Sequence, residues 1–248
     1  MTERTYHLGL AAGEVAPLVL LPGDPFRTER IAAHLEGARE IAFSREFRTF
    51  TGGVEGRPVS AVSSGIGGPS VAIAVEELSQ LGVETIVRVG TCGALQPEIA
   101  LGDLVVATGA VRSEATPDAY VPRAYPAIAD RAVVAALVGA AAAAGVPHHV
   151  GIVRAVDGLY PEILPGEMPL RADLEEELRV WKRAGVLGSD MESATLFVVS
   201  QLRKIRAGTI LLCVDEVEAG EIHHLGESFL ERLIAVAVDA ARNLLERA

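Results

Sequence analysis

The segment Glu84-Thr85-Ile86-Val87-Arg88-Val89-Gly90-Thr91-Cys92-Gly93-Ala94-Leu95 decides the fold, because it joins a core strand to a candidate functional site. Its β-branched apolar run, which ends at Val89, predicts a buried strand. Arg88 interrupts that run, and a buried guanidinium needs an anionic partner. Gly90 and Gly93 predict a tight turn that brings the backbone close to a ligand. Two interpretations fit the pattern: Arg88 binds an anionic ligand, or it pairs with a structural carboxylate beside an ordinary turn.

The composition of the 248 residues indicates a helix–sheet protein with a large core. Half of the residues are hydrophobic, which argues against disorder. The net charge of −11 lacks the basic excess that a nucleic-acid or anionic-membrane partner would require, so we expect neither partner. The sequence shows no signal sequence and no membrane-spanning apolar run. We therefore expect a cytoplasmic protein in which Cys92 and Cys213 are reduced, buried thiols.

Apolar strands alternate with helices along the chain. The strand Leu18–Leu21 precedes Pro22-Gly23-Asp24-Pro25, which predicts a helix with the Asp as its N-cap. Arg27 lies in the first turn of that helix, where a cation is unfavourable unless an anion occupies the helix end. The alternation, without an internal repeat or a linker, predicts the α/β class and one domain over residues 1–248.

The segment Ser189-Asp190-Met191-Glu192 precedes an apolar helix predicted over Ser193–Leu202. A capping box would explain this segment, with Ser189 accepting from a helix amide and Glu192 reaching back to Ser189. Met191 would then fill the core. A functional role for Glu192 is the alternative to this structural interpretation.

Several motifs, taken together and in this order, resemble the nucleoside phosphorylase family, and most closely its uridine phosphorylases. The resemblance covers nearly the whole chain and is carried by His7-Leu8-Gly9-Leu10, Pro22-Gly23-Asp24-Pro25, Arg45-Glu46-Phe47, Gly65–Ser70, Ala74-Val75-Glu76-Glu77-Leu78, Arg88-Val89-Gly90-Thr91 and Met191-Glu192-Ser193-Ala194-Thr195-Leu196. It implies a three-layer α/β/α sandwich around a mixed, partly barrel-like central sheet. It also favours the functional interpretation of both the arginine and the glutamate segments.

The resemblance implies a phosphate site beside a ribose site. The phosphate-binding residues would be Gly23, Arg27, Arg88, Thr91 and, from a neighbouring subunit, Arg45. The ribose-binding residues would be Asp190, Met191, Glu192 and, from the adjacent subunit, His7. The resemblance also implies a monovalent cation, K⁺, bound between subunits at Glu46, Ile66 and Ser70. Sites shared in this way imply a homo-oligomer, at least a dimer and by family resemblance a hexamer, with inorganic phosphate as co-substrate and no organic cofactor.

The base-binding end departs from the uridine phosphorylase pattern. The corresponding positions are Thr91, Gly93, Leu159, Tyr160 and Glu216. Uridine phosphorylases have Gln-x-Arg after Tyr-Pro-Gly, but the run here is Glu162-Ile163-Leu164-Pro165, at the start of a predicted irregular flap over Glu162–Asp173. Glu216 stands near the position where hexameric purine phosphorylases have a proton-donating Asp. It is either a general acid or a solvated loop carboxylate, so the preferred base stays open.

The implied reaction is phosphate-dependent cleavage of an N-glycosidic bond to free base and (deoxy)ribose 1-phosphate, with Arg88, Glu192 and Glu216 as the catalytic residues. A purine nucleoside phosphorylase is the main alternative. A phosphate-independent nucleosidase would not need arginines at 27, 45 and 88. A non-catalytic nucleoside-binding protein would not need the glutamate at 192 together with all three arginines.

Overall fold

The structure, a computed structural model, describes residues 4–217 and 225–246, apart from the side chain of Glu216. The strands are β1 (Leu18–Leu21), β2 (Glu36–Ser44), β3 (Phe47–Val54), β4 (Arg57–Val62), β5 (Thr85–Ala94), β6 (Leu104–Ser113), β7 (Ala127–Ile128), β8 (His148–Val156), β9 (Gly188–Asp190) and β10 (Arg206–Glu216). The helices are α1 (Pro25–Ala32), α2 (Gly68–Gln80), α3 (Arg131–Ala143), α4 (Leu159–Ile163), α5 (Arg171–Arg183), α6 (Ser193–Leu202) and α7 (Glu227–Glu246), with 3₁₀ turns at Thr116–Ala119 and Pro165–Glu167.

Five strands close into a mixed barrel. β10 pairs in parallel with β5 and antiparallel with β6, and β6 pairs in parallel with β8. β9 completes the circuit, because it pairs in parallel with β8 and antiparallel with β5. β1, β4, β3 and β2 extend the sheet outward from β5, and β7 pairs with β6. The prediction of a mixed, partly barrel-like sheet is confirmed.

Helices cover both faces of this sheet, as predicted for a three-layer α/β/α arrangement. Along β1, Val19 packs into the core beneath α2 and α6, whereas Leu18 and Leu20 pack into the core beneath α1, α3 and α7. This period of two is that of a strand buried on both faces, which explains its unbroken apolar run. None of the helices in residues 4–217 and 225–246 has the length and apolar character needed to span a bilayer.

The turn predicted at Gly90 and Gly93 is wrong, because β5 continues through both residues to Ala94. β10 pairs with β5 along this whole stretch, and β9 pairs with its end. The glycines are needed for close approach. A Cβ on Gly90 would lie 2.9 Å from Arg88 Cζ, and a Cβ on Gly93 would overlap the carboxylate of Asp215.

Candidate active site

A cavity of about 460 Å³ opens beside the carboxyl half of β5. Its walls are the β1–α1 loop with the first turn of α1, the β4–α2 loop at Ile66, the β8–α4 junction, the β9–α6 junction and the end of β10. Arg88 and Gly93 both line it, and a strand rise of about 3.3 Å per residue separates their Cα atoms by about 16 Å. The cavity therefore extends along one strand, and its volume is in the range of small-molecule sites.

Four of the residues predicted to bind phosphate, Gly23, Arg27, Arg88 and Thr91, line this cavity together. Asp24 caps α1 as predicted, accepting from the Phe26 amide at 2.9 Å. Arg27 extends from that helix to β5, where its Nη1 donates to the carbonyl of Val89 at 2.9 Å. Helix α1 and strand β5 thus bring two guanidinium groups to the same end of the cavity.

Arg88 combines both interpretations that its sequence context allowed. Its Nε donates to Asp190 Oδ2 at 3.0 Å and its Nη2 donates to Glu192 Oε2. Its Nη1 has no hydrogen-bond partner among the described residues and lies on the Gly23 side, 4.0 Å from where a Cβ of that glycine would be. Burial works to lower the pKa of Arg88, but the carboxylates of Glu192 and Asp190 outweigh it and raise the pKa. The side chain is therefore a charged structural partner with one donor to spare.

Arg27 carries the second available donor. Its Nε is buried and has no hydrogen-bond partner within residues 4–217 and 225–246. Burial, followed by the charge of Arg88, lowers the pKa of Arg27 to about 10. An anion bound between the two guanidinium groups would offset both effects, so this end of the cavity suits a phosphate or a similar oxyanion.

Glu192 is held from three directions and still lines the cavity. Its Oε1 accepts from the Gly67 amide at 2.7 Å, and its Oε2 accepts from the Met191 amide at 3.2 Å and from Arg88. Burial raises the pKa of Glu192, whereas the charge of Arg88 lowers it. Met191 lines the cavity beside it, so the carboxylate and the thioether face the same space.

The capping-box interpretation of Ser189 and Glu192 is wrong. Ser189 lies in β9, and the side chain of Glu192 makes no capping bond to α6. Asp190 serves the helix instead, because its carboxylate accepts from the Ser193 amide at 3.2 Å and from the Ser193 hydroxyl at 2.7 Å. Asp190 also lines the cavity, so it joins the helix start to Arg88.

Several predicted site residues lie outside the cavity of their own chain. His7 bonds through Nδ1 to Glu77 at 2.7 Å, and Arg45 is exposed in the β2–β3 turn at a φ of 56°. Their roles in a neighbouring subunit's site stay predictions. Leu159 and Gly93 line the cavity, whereas Tyr160 is 63% exposed and does not. The side chain of Glu216 lies outside the described residues.

The residues predicted to hold a monovalent cation lie near one another. Ser70 Oγ donates to Glu46 Oε1 at 2.9 Å, and a Cβ on Gly65 would lie 2.5 Å from Glu46 Cγ. Ile66 is 76% exposed on the same loop. The cation stays a prediction, and the described part of the chain contains no cluster of three or more His, Cys, Asp or Glu able to hold a metal.

Three carboxylates of this region were not predicted as site residues. Asp215 and Glu162 line the cavity, whereas Glu114, which is not among the lining residues, accepts from the Thr195 amide at 2.6 Å. Burial raises the pKa of Glu114 to about 8. Strand pairing or a helix start distant in sequence brings each of these carboxylates into place. The one local feature of the sequence that could have indicated any of them is Gly93, which leaves room for Asp215.

The two cysteines are buried thiols, as predicted. Burial, followed by nearby charges, raises the pKa of Cys92, which lines the cavity, and raises the pKa of Cys213 to about 12. Burial therefore disfavours the nucleophilic thiolate form of both cysteines.

Comparison with known proteins agrees with this geometry. Residues 17–248 match the model of the phosphorylase superfamily. The chain is 42% identical over 246 residues to uridine phosphorylase of Treponema pallidum (strain Nichols), covering 98% of this chain and 95% of the relative. It is 36% identical over 247 residues to guanosine phosphorylase of Halorubrum lacusprofundi, covering 96% and 98%.

A crystal structure of uridine phosphorylase from Vibrio fischeri ES114, complexed with 6-hydroxy-1-naphthoic acid, has the same fold. It superposes with a TM-score of 0.86 at 31% identity, covering 98% of this chain and 97% of that chain. The family match and these similarities extend over nearly the whole sequence. The chain belongs to the phosphorylase superfamily, and it is similar to uridine phosphorylases from end to end.

Proposed function

We propose that this protein is a nucleoside phosphorylase that uses inorganic phosphate to cleave the N-glycosidic bond of uridine or a related nucleoside, releasing the free base and (deoxy)ribose 1-phosphate. The observation that carries the proposal is the bonding of Arg88. One guanidinium group holds Glu192 through Nη2 and leaves Nη1 on the Gly23 side, near Arg27. A phosphate site and a sugar site are thereby joined through a single side chain.

Phosphate binds between Arg27 and Arg88, with Gly23 and Thr91 beside them. Guanidinium groups suit the oxygens of phosphate, and the free nitrogens of both arginines supply donors. Arg45 of a neighbouring subunit contributes the third guanidinium. The proposal therefore includes a homo-oligomer, at least a dimer, and a hexamer is the assembly that the family resemblance favours.

The sugar lies on Glu192 and Met191. The carboxylate accepts from the ribose hydroxyls while the thioether packs against the ring, and His7 of the adjacent subunit reaches the 5′ end. As the bond between C1′ and the base nitrogen stretches, the sugar gains positive charge. A phosphate oxygen then bonds to C1′ and the base nitrogen keeps the electron pair, so positioning and fixed charge provide the catalysis.

A purine nucleoside is the second candidate substrate, and the similarity to a guanosine phosphorylase supports it. The test is an assay of uridine, thymidine, inosine and adenosine with and without phosphate, in which base and ribose 1-phosphate are separated by chromatography. We expect phosphate-dependent release of both products. Turnover without phosphate would indicate a nucleosidase, and binding without either product would indicate a non-catalytic nucleoside-binding protein.

A further inference from the structure

The cavity carries a buried carboxylate, Glu162, that the proposed mechanism does not use. Glu162 lies in α4, lines the cavity and is 6% exposed. Its Oε1 accepts from Arg154 Nη1 at 2.6 Å. Burial raises the pKa of Glu162, and the Ser189 hydroxyl and Arg154 oppose that rise.

The strand registers place Glu162 at the end of the cavity away from the arginines. Arg154 of β8 pairs with Ser189 of β9, and Ser189 pairs with Gly93 of β5. The Arg88 guanidinium lies beside Gly90, 2.9 Å from where a Cβ of that glycine would be. Gly93 is three residues farther along β5, about 10 Å at about 3.3 Å per residue. With phosphate at Arg88 and ribose on Met191 and Glu192, as proposed above, the part of the cavity left for the base is the Gly93 end, where Glu162 lies.

Arg154 holds that carboxylate in one orientation. Its side chain is buried, and each of its three nitrogens has a protein partner. Besides the bond to Glu162, Nε donates to Ser113 Oγ at 3.0 Å and Nη2 pairs with Glu177 Oε1 at 2.9 Å. Arg154 therefore positions Glu162, and it does not itself line the cavity.

An ionised carboxylate accepts hydrogen bonds and cannot donate them. Uracil and the 6-oxopurines carry a ring N–H next to a carbonyl, which such a group can accept. Cytosine and adenine have a bare ring nitrogen at that position, whose lone pair a carboxylate repels. A buried polar group of the site left without its partner costs binding, so discrimination of this kind can be strong.

We propose that Glu162, positioned by Arg154, accepts the ring N–H of the base and selects nucleosides whose base has an N–H beside a carbonyl, whether pyrimidine or purine. This inference rests on the proposed function. Uracil and guanine, the bases of the nucleosides for which the two relatives above are named, both carry such an N–H.

The test compares wild-type protein with Glu162→Gln and Glu162→Leu on two substrate pairs, uridine with cytidine and inosine with adenosine. In the wild type, kcat/KM favours uridine and inosine. Loss of a hydrogen bond to a charged acceptor predicts that Glu162→Leu lowers kcat/KM for these two by about ten- to a hundredfold. The amide in Glu162→Gln can still accept from Arg154 and can donate to a bare ring nitrogen. We therefore expect this variant to have a higher kcat/KM for cytidine and adenosine than the wild type.

Glu176→Gln is the matched control, because Glu176 is an exposed carboxylate on α5 that pairs with Arg179. This substitution should leave kcat/KM unchanged for all four nucleosides. Equal wild-type rates within each substrate pair would overturn the inference, as would an equal loss on all four substrates in Glu162→Gln. Calorimetric titration with the same nucleosides measures the preference without turnover. Absence of cleavage would therefore overturn the proposed function, whereas equal affinities within each pair would overturn this inference.

Discussion

Arg88 and Glu192, 104 residues apart in the sequence, form a buried ion pair in which Nη2 of the arginine donates to Oε2 of the glutamate. The arginine lies on β5 and the glutamate immediately precedes α6. The pair therefore fixes a central strand to a helix start at the floor of the cavity. Any ligand contact with one residue changes the electrostatic surroundings of the other.

Replacing Arg88 with alanine should abolish most activity. Loss of a charged donor at the reacting phosphate predicts a fall in kcat/KM of at least about a hundredfold. The buried carboxylates of Asp190 and Glu192 also lose their partner, which predicts destabilisation of about 3–5 kcal/mol. Phosphorolysis kinetics and thermal unfolding measure the two effects, with Arg203→Ala, which removes an exposed pair to Glu76, as the control. Near-wild-type phosphorolysis in Arg88→Ala would contradict the assignment.

A site shared between subunits predicts complementation between two inactive variants. In a mixed oligomer of Arg45→Ala and Arg88→Ala chains, one kind of site receives both defects and the other receives neither. Activity should therefore return after the two proteins are unfolded, mixed and refolded together, and not when each is refolded alone. If the mixture stays inactive while mixed oligomers are shown to form, Arg45 does not act across a subunit boundary.

Gly90→Ala should damage both stability and function. The added methyl group would lie 2.8 Å from Leu211 Cδ2 and 2.9 Å from the guanidinium carbon of Arg88. Overpacking of this kind costs about 1–3 kcal/mol, and displacement of the guanidinium should raise the KM for phosphate. Gly139→Ala in α3 is the control, since nothing lies within 4 Å of the added methyl group, and it should stabilise the protein by about 0.5–1 kcal/mol. Chemical denaturation and initial rates test both variants, and an unchanged KM for phosphate in Gly90→Ala would contradict the expected contact.

Glu114 predicts a pH dependence of stability. Burial raises its pKa from 4.5 to about 8, so between these values the folded protein retains a proton that the unfolded chain releases. The free energy of unfolding should then fall as pH rises through this range, by up to about 1.4 kcal/mol per pH unit. Glu114→Gln cannot titrate, so its unfolding free energy should fall less steeply in urea titrations between pH 5 and pH 8. Glu98→Gln, at an exposed position, is the control, and parallel curves for Glu114→Gln and wild type would refute the effect.

Glu216→Gln separates the two interpretations of that residue. A general acid that protonates a departing purine should be needed more for inosine and adenosine than for uridine, because the protonated nitrogen belongs to the purine ring. Steady-state kinetics on the three nucleosides give the comparison. An equal loss on all of them would remove the acid role and leave a solvated carboxylate.

Much of the fold follows from local pattern. The sequence predicts the strand Leu18–Leu21 and the helix Ser193–Leu202 with the bounds that the structure has. It also predicts Asp24 as the N-cap of α1, which the structure confirms. Each of these features depends on residues that are close together in the sequence. β2 (Glu36–Ser44) was not predicted as a strand, because it is an edge strand with mostly exposed or half-buried residues and lacks a clear apolar alternation.

The site was harder to predict where distant pairing decides the outcome. Gly90 and Gly93 are typical of a turn, but β10 and β9 pair with that stretch and hold it extended. The capping-box interpretation is wrong because Asp190, and not Ser189, accepts from a helix amide, that of Ser193. Glu114 accepts from an amide 81 residues away, and no local pattern contains that information.

Because β5 is hydrogen-bonded to β1 and β10 along its sides and to β9 at its end, it can slide only by breaking a whole ladder. The distance between the guanidinium of Arg88 and the surroundings of Gly93 is consequently fixed and does not change with the ligand. Ligands that are too short or too long cannot be accommodated by stretching this floor. Any adjustment to ligand size must come from the opposite wall, which includes Leu159 and Glu162 of α4. A single residue, Leu164, joins that helix to the turn Pro165–Glu167.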